Sequence, residues 1–412
     1  MRVELTKGLV AALSLAIGIC SGCSRPPQTV ASSWNPKAAA AYLDQREVTW
    51  MGWPGAARDH GTFCVSCHTV VPYTLARPAL RQALAEPGPS VDERLIVENV
   101  SKRVRLWSEV GPYYADDGYG NGKPAESRGT ESVLNALILV SQDDQTGKLS
   151  DVSQMALTNM WAQQIADGNA RGAWSWLQFG MEPWEANDSQ YFGAALAAIA
   201  AGTAPEDYRS SSGIQGNLDR LRDYLKKNAD RQSLMNRVVL LWASTKLPGL
   251  LDSAAQKTII HEIMKEQQSD GGWALSTHAW PEGWSLHSMV RRRLRSDWTR
   301  QSGGSDGFAT AFISYVLQEA GVPVQDPGLK RGLSWLVRNQ DATDGSWPSY
   351  SLNLRRNQST NVGHFMRDAA TAYAVLALST SNTQVQPSAT NVSPASTPNP
   401  AAASHSATIS AD

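Results

Sequence analysis

From Val91 onward the chain repeats one pattern: a helical run, then a turn-rich connection that carries tryptophan. Apolar residues recur three and four apart, as in Leu95, Val97, Val100, Val104 and Leu106. This spacing predicts helices over 91–109, 130–142, 151–166, 188–201, 214–228, 233–245, 252–268, 306–320, 327–339 and 366–379. No segment reads as a convincing strand run, so the expected fold class is all-α. Taken pairwise, ten helices give about five hairpins, a repeat architecture. An apolar fraction of 42% is too low for a multi-pass membrane protein and too high for a disordered chain. The 15 Trp against 6 Phe and 11 Tyr invert the usual aromatic order, and many of these indoles fall in the connections.

The connections share a form. Gln267-Gln268-Ser269-Asp270-Gly271-Gly272-Trp273 follows one predicted helix, and Gln340-Asp341-Ala342-Thr343-Asp344-Gly345-Ser346-Trp347 follows another. Gln163-Gln164 with Gly172-Ala173-Trp174 is a looser copy. A glutamine at a helix end offers a donor and an acceptor to orphan backbone groups of neighbouring helices. Glycine permits the sharp turn, and the indole packs over the joint. The run from Lys330 to Gln340, continued through Gly345-Ser346-Trp347, resembles the QW motif of squalene and terpenoid cyclases. The resemblance covers about 91–380 and implies an α/α toroid of inner and outer helices. It speaks for architecture more than for activity, because prenyltransferases and thioester proteins share that ring.

The chemistry of those families does not carry over. Cyclases of this type protonate their substrate through a D-x-D-D motif, which this sequence lacks. Asp116-Asp117 and Asp143-Asp144 are isolated pairs in turn-like surroundings. The toroid region holds no cysteine, which excludes both the Asp/Cys/His zinc site of prenyltransferases and the thioester. Trp174, Trp176 and Trp184 cluster beside Glu182, Glu185 and Asp188. They read as helix joints and as caps for the helix starting near Asp188. The alternative is a general acid with a raised pKa among aromatic walls.

Four cysteines are too few for a disulfide-stapled scaffold. Beyond Cys20 and Cys23, the remaining pair lies in Phe63-Cys64-Val65-Ser66-Cys67-His68, the pattern of covalent c-type haem attachment. Each thiol adds to one haem vinyl group. Two intervening residues match the vinyl separation, and His68 becomes the proximal iron ligand. A thioredoxin-like pair wants a strand before and a helix after, and Thr69-Val70-Val71-Pro72 reads poorly as the latter. A zinc site wants a second cysteine pair. The expected cofactor is thus one covalent haem c in a segment spanning 51–90. The distal ligand stays open between His60, Met51, a distant Met155, Met160, Met181, His278, His287 or His364, and an open position.

Residues 1–22 read as a signal peptide, with a 12-residue apolar stretch Gly8–Ile19 too short to span a bilayer. Cys20-Ser21-Gly22-Cys23 resembles the bacterial lipobox, which implies acylation at Cys23, although Cys20 stands where that motif usually has Leu. Residues 23–50 are expected to form a lipidated spacer, and 381–412, rich in Ser, Thr, Ala, Pro and Asn, a disordered tail. Localisation is then exported and periplasmic, tethered to a membrane. Lys+Arg and Asp+Glu nearly cancel at 37 and 38, so no field draws the chain to nucleic acid. The long connection between Trp273 and Asp306 carries His278, Trp280, Trp284, His287 and Arg291-Arg292-Arg293-Leu294-Arg295. It reads as a solvated insertion, or as a lid, a distal-ligand donor or a basic contact for anionic lipid or a redox partner. The leading expectation is electron transfer or redox sensing, with the toroid as docking or ligand-binding scaffold. The alternative is a haem-dependent oxidoreductase acting on an apolar, isoprenoid-like substrate in the toroid cavity.

Overall fold

Asn35 starts a helix within the stretch expected to be spacer. Its side chain accepts from the Ala38 amide, and Pro36 opens the first turn, where a missing N–H is no loss. The resulting helix α1 (Pro36–Met51) buries Ala39, Leu43, Glu47 and Trp50. Residues 36–50 are therefore packed structure. The computed structural model describes residues 33–115, 120–280 and 286–385. The expected signal peptide, Cys20, the acylation site Cys23, Asp116-Asp117, Trp284 and residues 386–412 lie outside the described residues, as does the His287 side chain.

A second helix missing from the expectation, α2 (Val70–Leu84), follows the Cys-x-x-Cys-His motif directly. Pro72 is tolerated because it falls in the first turn, whose amides have no intrahelical acceptors. The ten expected helices follow: α3 (Val91–Arg105), α4 (Lys123–Asp143), α5 (Asp151–Ala162), α6 (Ser189–Thr203), then short α7 (Glu206–Arg209), α8 (Gln215–Asn228), α9 (Leu234–Lys246) and α10 (Ser253–Lys265). Short α11 (Leu275–His278) and α12 (Leu286–Arg291) precede α13 (Gly307–Glu319), α14 (Pro327–Asn339) and α15 (Asn361–Val385). The last runs into the expected tail. The long helices thus make six pairs among the described residues, one more than expected. The two named strands, β1 (Ala57–Arg58) and β2 (Thr62–Phe63), form one antiparallel hairpin with Ala57 opposite Phe63.

Two kinds of helix alternate. In α6 every residue from Tyr191 to Gly202 is buried, and in α13 every residue from Gly307 to Gln318. Helices apolar all round lie inside. By contrast α8 buries Leu218, Leu221, Tyr224 and Leu225, and α10 only Ile259 and Ile263, one stripe each. The interior kind pack in succession: α2 on α4, α4 on α6, α6 on α9, α9 on α13, α13 on α15, and α15 on α2. Each striped helix lies against them: α3 and α5 on α4, α8 on α6, α10 on α9, α14 on α13 and α15, α1 on α15 and α2.

The joints follow one geometry three times. The Gln164 side-chain amide donates to the Gly172 and Asn217 carbonyls at 3.1 and 3.0 Å. Gln267 donates to Gly271 and Gly328, both at 2.8 Å, and Gln340 to Gly345 and Asn35 at 2.8 and 3.0 Å. Each glutamine thus ties its own loop to the start of another striped helix, and Gln340 reaches back to the first. The indoles of Trp174, Trp273 and Trp347 donate to the Met160, Ile263 and Leu336 carbonyls at 2.7–2.8 Å. All three indoles are fully buried. At about 150–250 Å² each, they contribute an upper estimate of about 4–6 kcal/mol apiece. Gly345 is required: its φ is +80°, and an added Cβ would lie 2.4 Å from the Ala38 carbonyl carbon.

Candidate functional site: the Cys64–His68 motif

The motif is latched from several sides. Cys64 N donates to the Ala56 carbonyl at 2.8 Å, continuing the β1–β2 hairpin. Its carbonyl accepts the Trp50 indole N–H at 2.9 Å. Asn99 on α3 bonds both the amide and the carbonyl of Phe63, and Tyr113 Oη accepts from Val65 N. Ser66 Oγ accepts from the amides of Thr69 and Val70, satisfying the first donors of α2. Cys64 and Cys67 are both buried, and neither forms a disulfide among the described residues. Burial pushes Cys64 up to about 11 and Cys67 well above the ordinary thiol range. The helix after the motif suits a dithiol redox pair, but such a pair needs a stabilised thiolate, and these thiols are the reverse.

His68 stands among rings. Phe365 stacks on it with centroids 3.7 Å apart, Trp50 meets it edge-on at 5.2 Å, and Trp184 tilts against it at 5.8 Å. Burial first, and Arg46 second, push His68 down to about 3, so it is neutral near pH 7. Its Nδ1 lies 2.8 Å from Thr69 Oγ1. Thr69 Oγ1 in turn donates to Asp368 Oδ2 at 2.9 Å. A hydroxyl has one proton, and this one is committed to the carboxylate. Thr69 therefore accepts from His68 Nδ1–H, which assigns the Nδ1–H tautomer and leaves the Nε2 lone pair available.

Asp368 is the hub. Tyr42 Oη and Arg46 Nε both donate to its Oδ1, at 2.8 and 2.9 Å, so α1, the motif and α15 meet at one carboxyl. Burial pushes Asp368 up from the usual carboxylate range, while the Arg46 guanidinium and the Tyr42 and Thr69 hydroxyls oppose the shift. Thr69, Asp368, Arg46, Tyr42 and Phe365 were not singled out by sequence reasoning. A threonine after the motif and an aspartate on a helix some 300 residues later carry no local signal.

The other expected residues are distributed as follows. His60 is exposed, in the left-handed region at φ +55°, with Nδ1 3.5 Å from Asp59 Oδ2 and its carbonyl bonded by Lys102. The described rings packed on His68 do not include it. Met51 ends α1 half-buried against the apolar core, next to Trp50. Met155 is exposed and Met160 fully buried, and Met181 Sδ accepts from Arg356. His278 is fully buried, with Nδ1 2.7 Å from the Ala274 carbonyl. His364 Nδ1 lies 3.2 Å from Tyr42 Oη. No protein-family model and no curated protein matches the chain.

The acidic cluster departs from its expected role. Asp188 stands at the first position before α6 but makes no cap bond; its Oδ2 accepts from Asn236 instead. Trp176 donates to the Trp184 carbonyl at 2.8 Å, and Trp184 packs between His68 and Phe308. Burial pushes Glu185 up to about 7, against the pull of Lys123, and Glu182 up to about 8, assisted by Asp188. From Trp184 a run of rings continues inward through Phe308, Phe312 and Tyr373 to Trp242 and Tyr315, at centroid spacings of 4.7–6.5 Å.

The donor set fits a covalent haem. Two thiols stand with two residues between them, and the adjoining imidazole is held in the ligand-competent tautomer. The surroundings are apolar rings. The residues that would hold the group are Cys64, Cys67 and His68.

Proposed function

We propose that this chain is an exported, membrane-tethered c-type haem protein of the periplasm, serving electron transfer or redox sensing on an α/α toroid. The observation that carries the reading is the His68–Thr69–Asp368 chain beside two free buried thiols. Haem bound there would supply one-electron chemistry. The protein's own part is to fix the imidazole orientation, exclude water with Trp50, Trp184 and Phe365, and keep a buried counter-charge one hydroxyl away. The toroid reading is supported by the succession of interior helices returning to α2 and by the Gln340–Asn35 link. It would serve as scaffold for a redox partner or an apolar ligand.

The test is expression in a host able to mature cytochromes c. Covalent haem should survive denaturing electrophoresis, and Cys64→Ser combined with Cys67→Ser should abolish it. Absence of haem from the parent protein sinks the proposal. The second reading, an oxidoreductase acting on an apolar substrate, is favoured by Glu185, which burial pushes up to about 7 and which follows Trp184 at the start of the aromatic run. It requires a site open to carbon monoxide, whereas an electron carrier keeps a six-coordinate, low-spin spectrum that carbon monoxide leaves unchanged.

A further inference from the structure

Residues 286–300 hold five arginines and a single acidic residue, Asp297. Asp297 is occupied locally. It accepts from Thr299 N at 3.0 Å, from Thr299 Oγ1 at 2.6 Å and from Arg355 N at 2.7 Å. The loop it organises is rigidly held. Arg295 N donates to the Thr299 carbonyl, Gln301 N to the Arg293 carbonyl, and Ser296 N to the Asn353 carbonyl, at 2.7–2.9 Å. The Arg295 guanidinium closes the loop on the Ser351 and Arg300 carbonyls. At its tip Trp298 is 77% exposed, with φ +60°. Met289 and Val290 at the end of α12 are also exposed. On the same segment Arg292, Arg293 and Arg300 are exposed, as is Arg355, whose amide bonds Asp297; none has a carboxylate at ion-pair distance among the described residues, and Arg292 lines a cleft with Glu262 and Glu266.

A large apolar ring held out in water by a hydrogen-bonded loop is unfavourable for an isolated body and points to something that covers it. We propose that this surface docks on a lipid bilayer containing anionic lipid, with Trp298 at headgroup depth and the arginines on lipid phosphates. Three observations favour a bilayer over a folded protein. The ring projects from a tip, which suits a fluid interface that conforms around it. Exposed Met289 and Val290 add apolar area on the same segment. Guanidinium groups are the bidentate partners of phosphate. The chain's formal net charge of −1 makes the attraction local to this patch. The inference stands apart from the haem reading. It bears on it through Asn353, which accepts from Glu182 N at 2.7 Å and donates to the Gly180 carbonyl at 2.9 Å. The same connection carries Trp184 to His68.

The test is co-sedimentation of the full chain with vesicles of phosphatidylcholine alone and of phosphatidylcholine mixed with phosphatidylglycerol. Residues 1–32 are present in every variant, so their contribution cancels in pairwise comparison. The parent should favour the anionic vesicles, and added salt should weaken that preference. Arg292→Ala with Arg293→Ala should lower the affinity about five-fold per arginine. Trp298→Gly, which suits the left-handed backbone, should lower binding to the same vesicles while the melting temperature holds. Equal binding by parent and variants overturns the proposal, as does equal binding to neutral and anionic vesicles. Unchanged vesicle binding with lost retention on polyglutamate overturns it in favour of an acidic protein partner.

Discussion

Replacing Asp368 by Asn tests the logic of the site with almost no change of shape. Asp368 accepts three hydrogen bonds, from Tyr42, Arg46 and Thr69. In the variant the amide oxygen keeps Tyr42 and Arg46, and the amide nitrogen faces Thr69 Oγ1. That nitrogen donates, so Thr69 must turn its own proton toward His68 Nδ1. The imidazole then carries its hydrogen on Nε2 and has no lone pair there for a metal. A charge-assisted link contributes about 1.5–3 kcal/mol. At about 1.4 kcal/mol per decade, its loss shifts the tautomer ratio about ten-fold or more. The same change keeps the Arg46 bond to an oxygen but removes the carboxylate charge that pairs with this buried guanidinium, whose other contacts are to Asn361 at 3.4 Å, and costs about 3–5 kcal/mol of stability. Nitrogen-15 NMR of the haem-free protein reads the tautomer, and urea unfolding reads the stability. Thr69→Val separates the two effects, because it cuts the relay and leaves the Arg46–Asp368 pair intact. If His68 keeps its proton on Nδ1 in Asp368→Asn, the hydroxyl does not relay the carboxylate and the argument for a fixed ligand fails.

The joints and the buried acids give further expectations. Trp347→Phe leaves the Leu336 carbonyl unpartnered in the core and should cost about 1–3 kcal/mol beyond the lost area, read from the urea midpoint. Gly345→Ala should cost about 1–2 kcal/mol for the left-handed backbone alone, and more for the contact with Ala38; a variant as stable as the parent would show the joint to be slack. Glu47 is fully buried with no hydrogen-bond partner on either oxygen among the described residues, so Glu47→Met should stabilise the fold by about 1–3 kcal/mol. The pH dependence follows from the same acids. Burial raises Glu47, Glu182 and Glu185 in the folded state, which therefore binds more protons than the unfolded chain. The share of stability held by these acids falls as pH rises from about 4.5 through about 8; below about 6.5 it is opposed by His68 and His278, which burial keeps neutral, so the fall is read cleanly above about 6.5, where Glu185→Gln should flatten it.

How much was legible follows from where each signal resides. Helix existence is local, and the ten expected helices are all present because periodicity and caps such as Ser150, Asp306 and Asp326 lie within a few residues of each start. The joints were legible for the same reason: glutamine, glycine and tryptophan sit within a dozen residues, and each performs the bond its chemistry suggests. Helices α1 and α2 were missed because their context argued otherwise. One lay in a presumed spacer, and the other began with Val-Val-Pro, tolerable only at a first turn. The site divides along the same line. Cys64, Cys67 and His68 form a local pattern, so they were found. The group that sets the imidazole proton was not, since Asp368 reaches His68 only after the last helix packs on α1 and α2. A motif in sequence thus names the atoms available for bonding, while the tertiary fold decides which lone pair is free. Here that decision rests on one hydroxyl proton, and a single carboxylate determines which way it points.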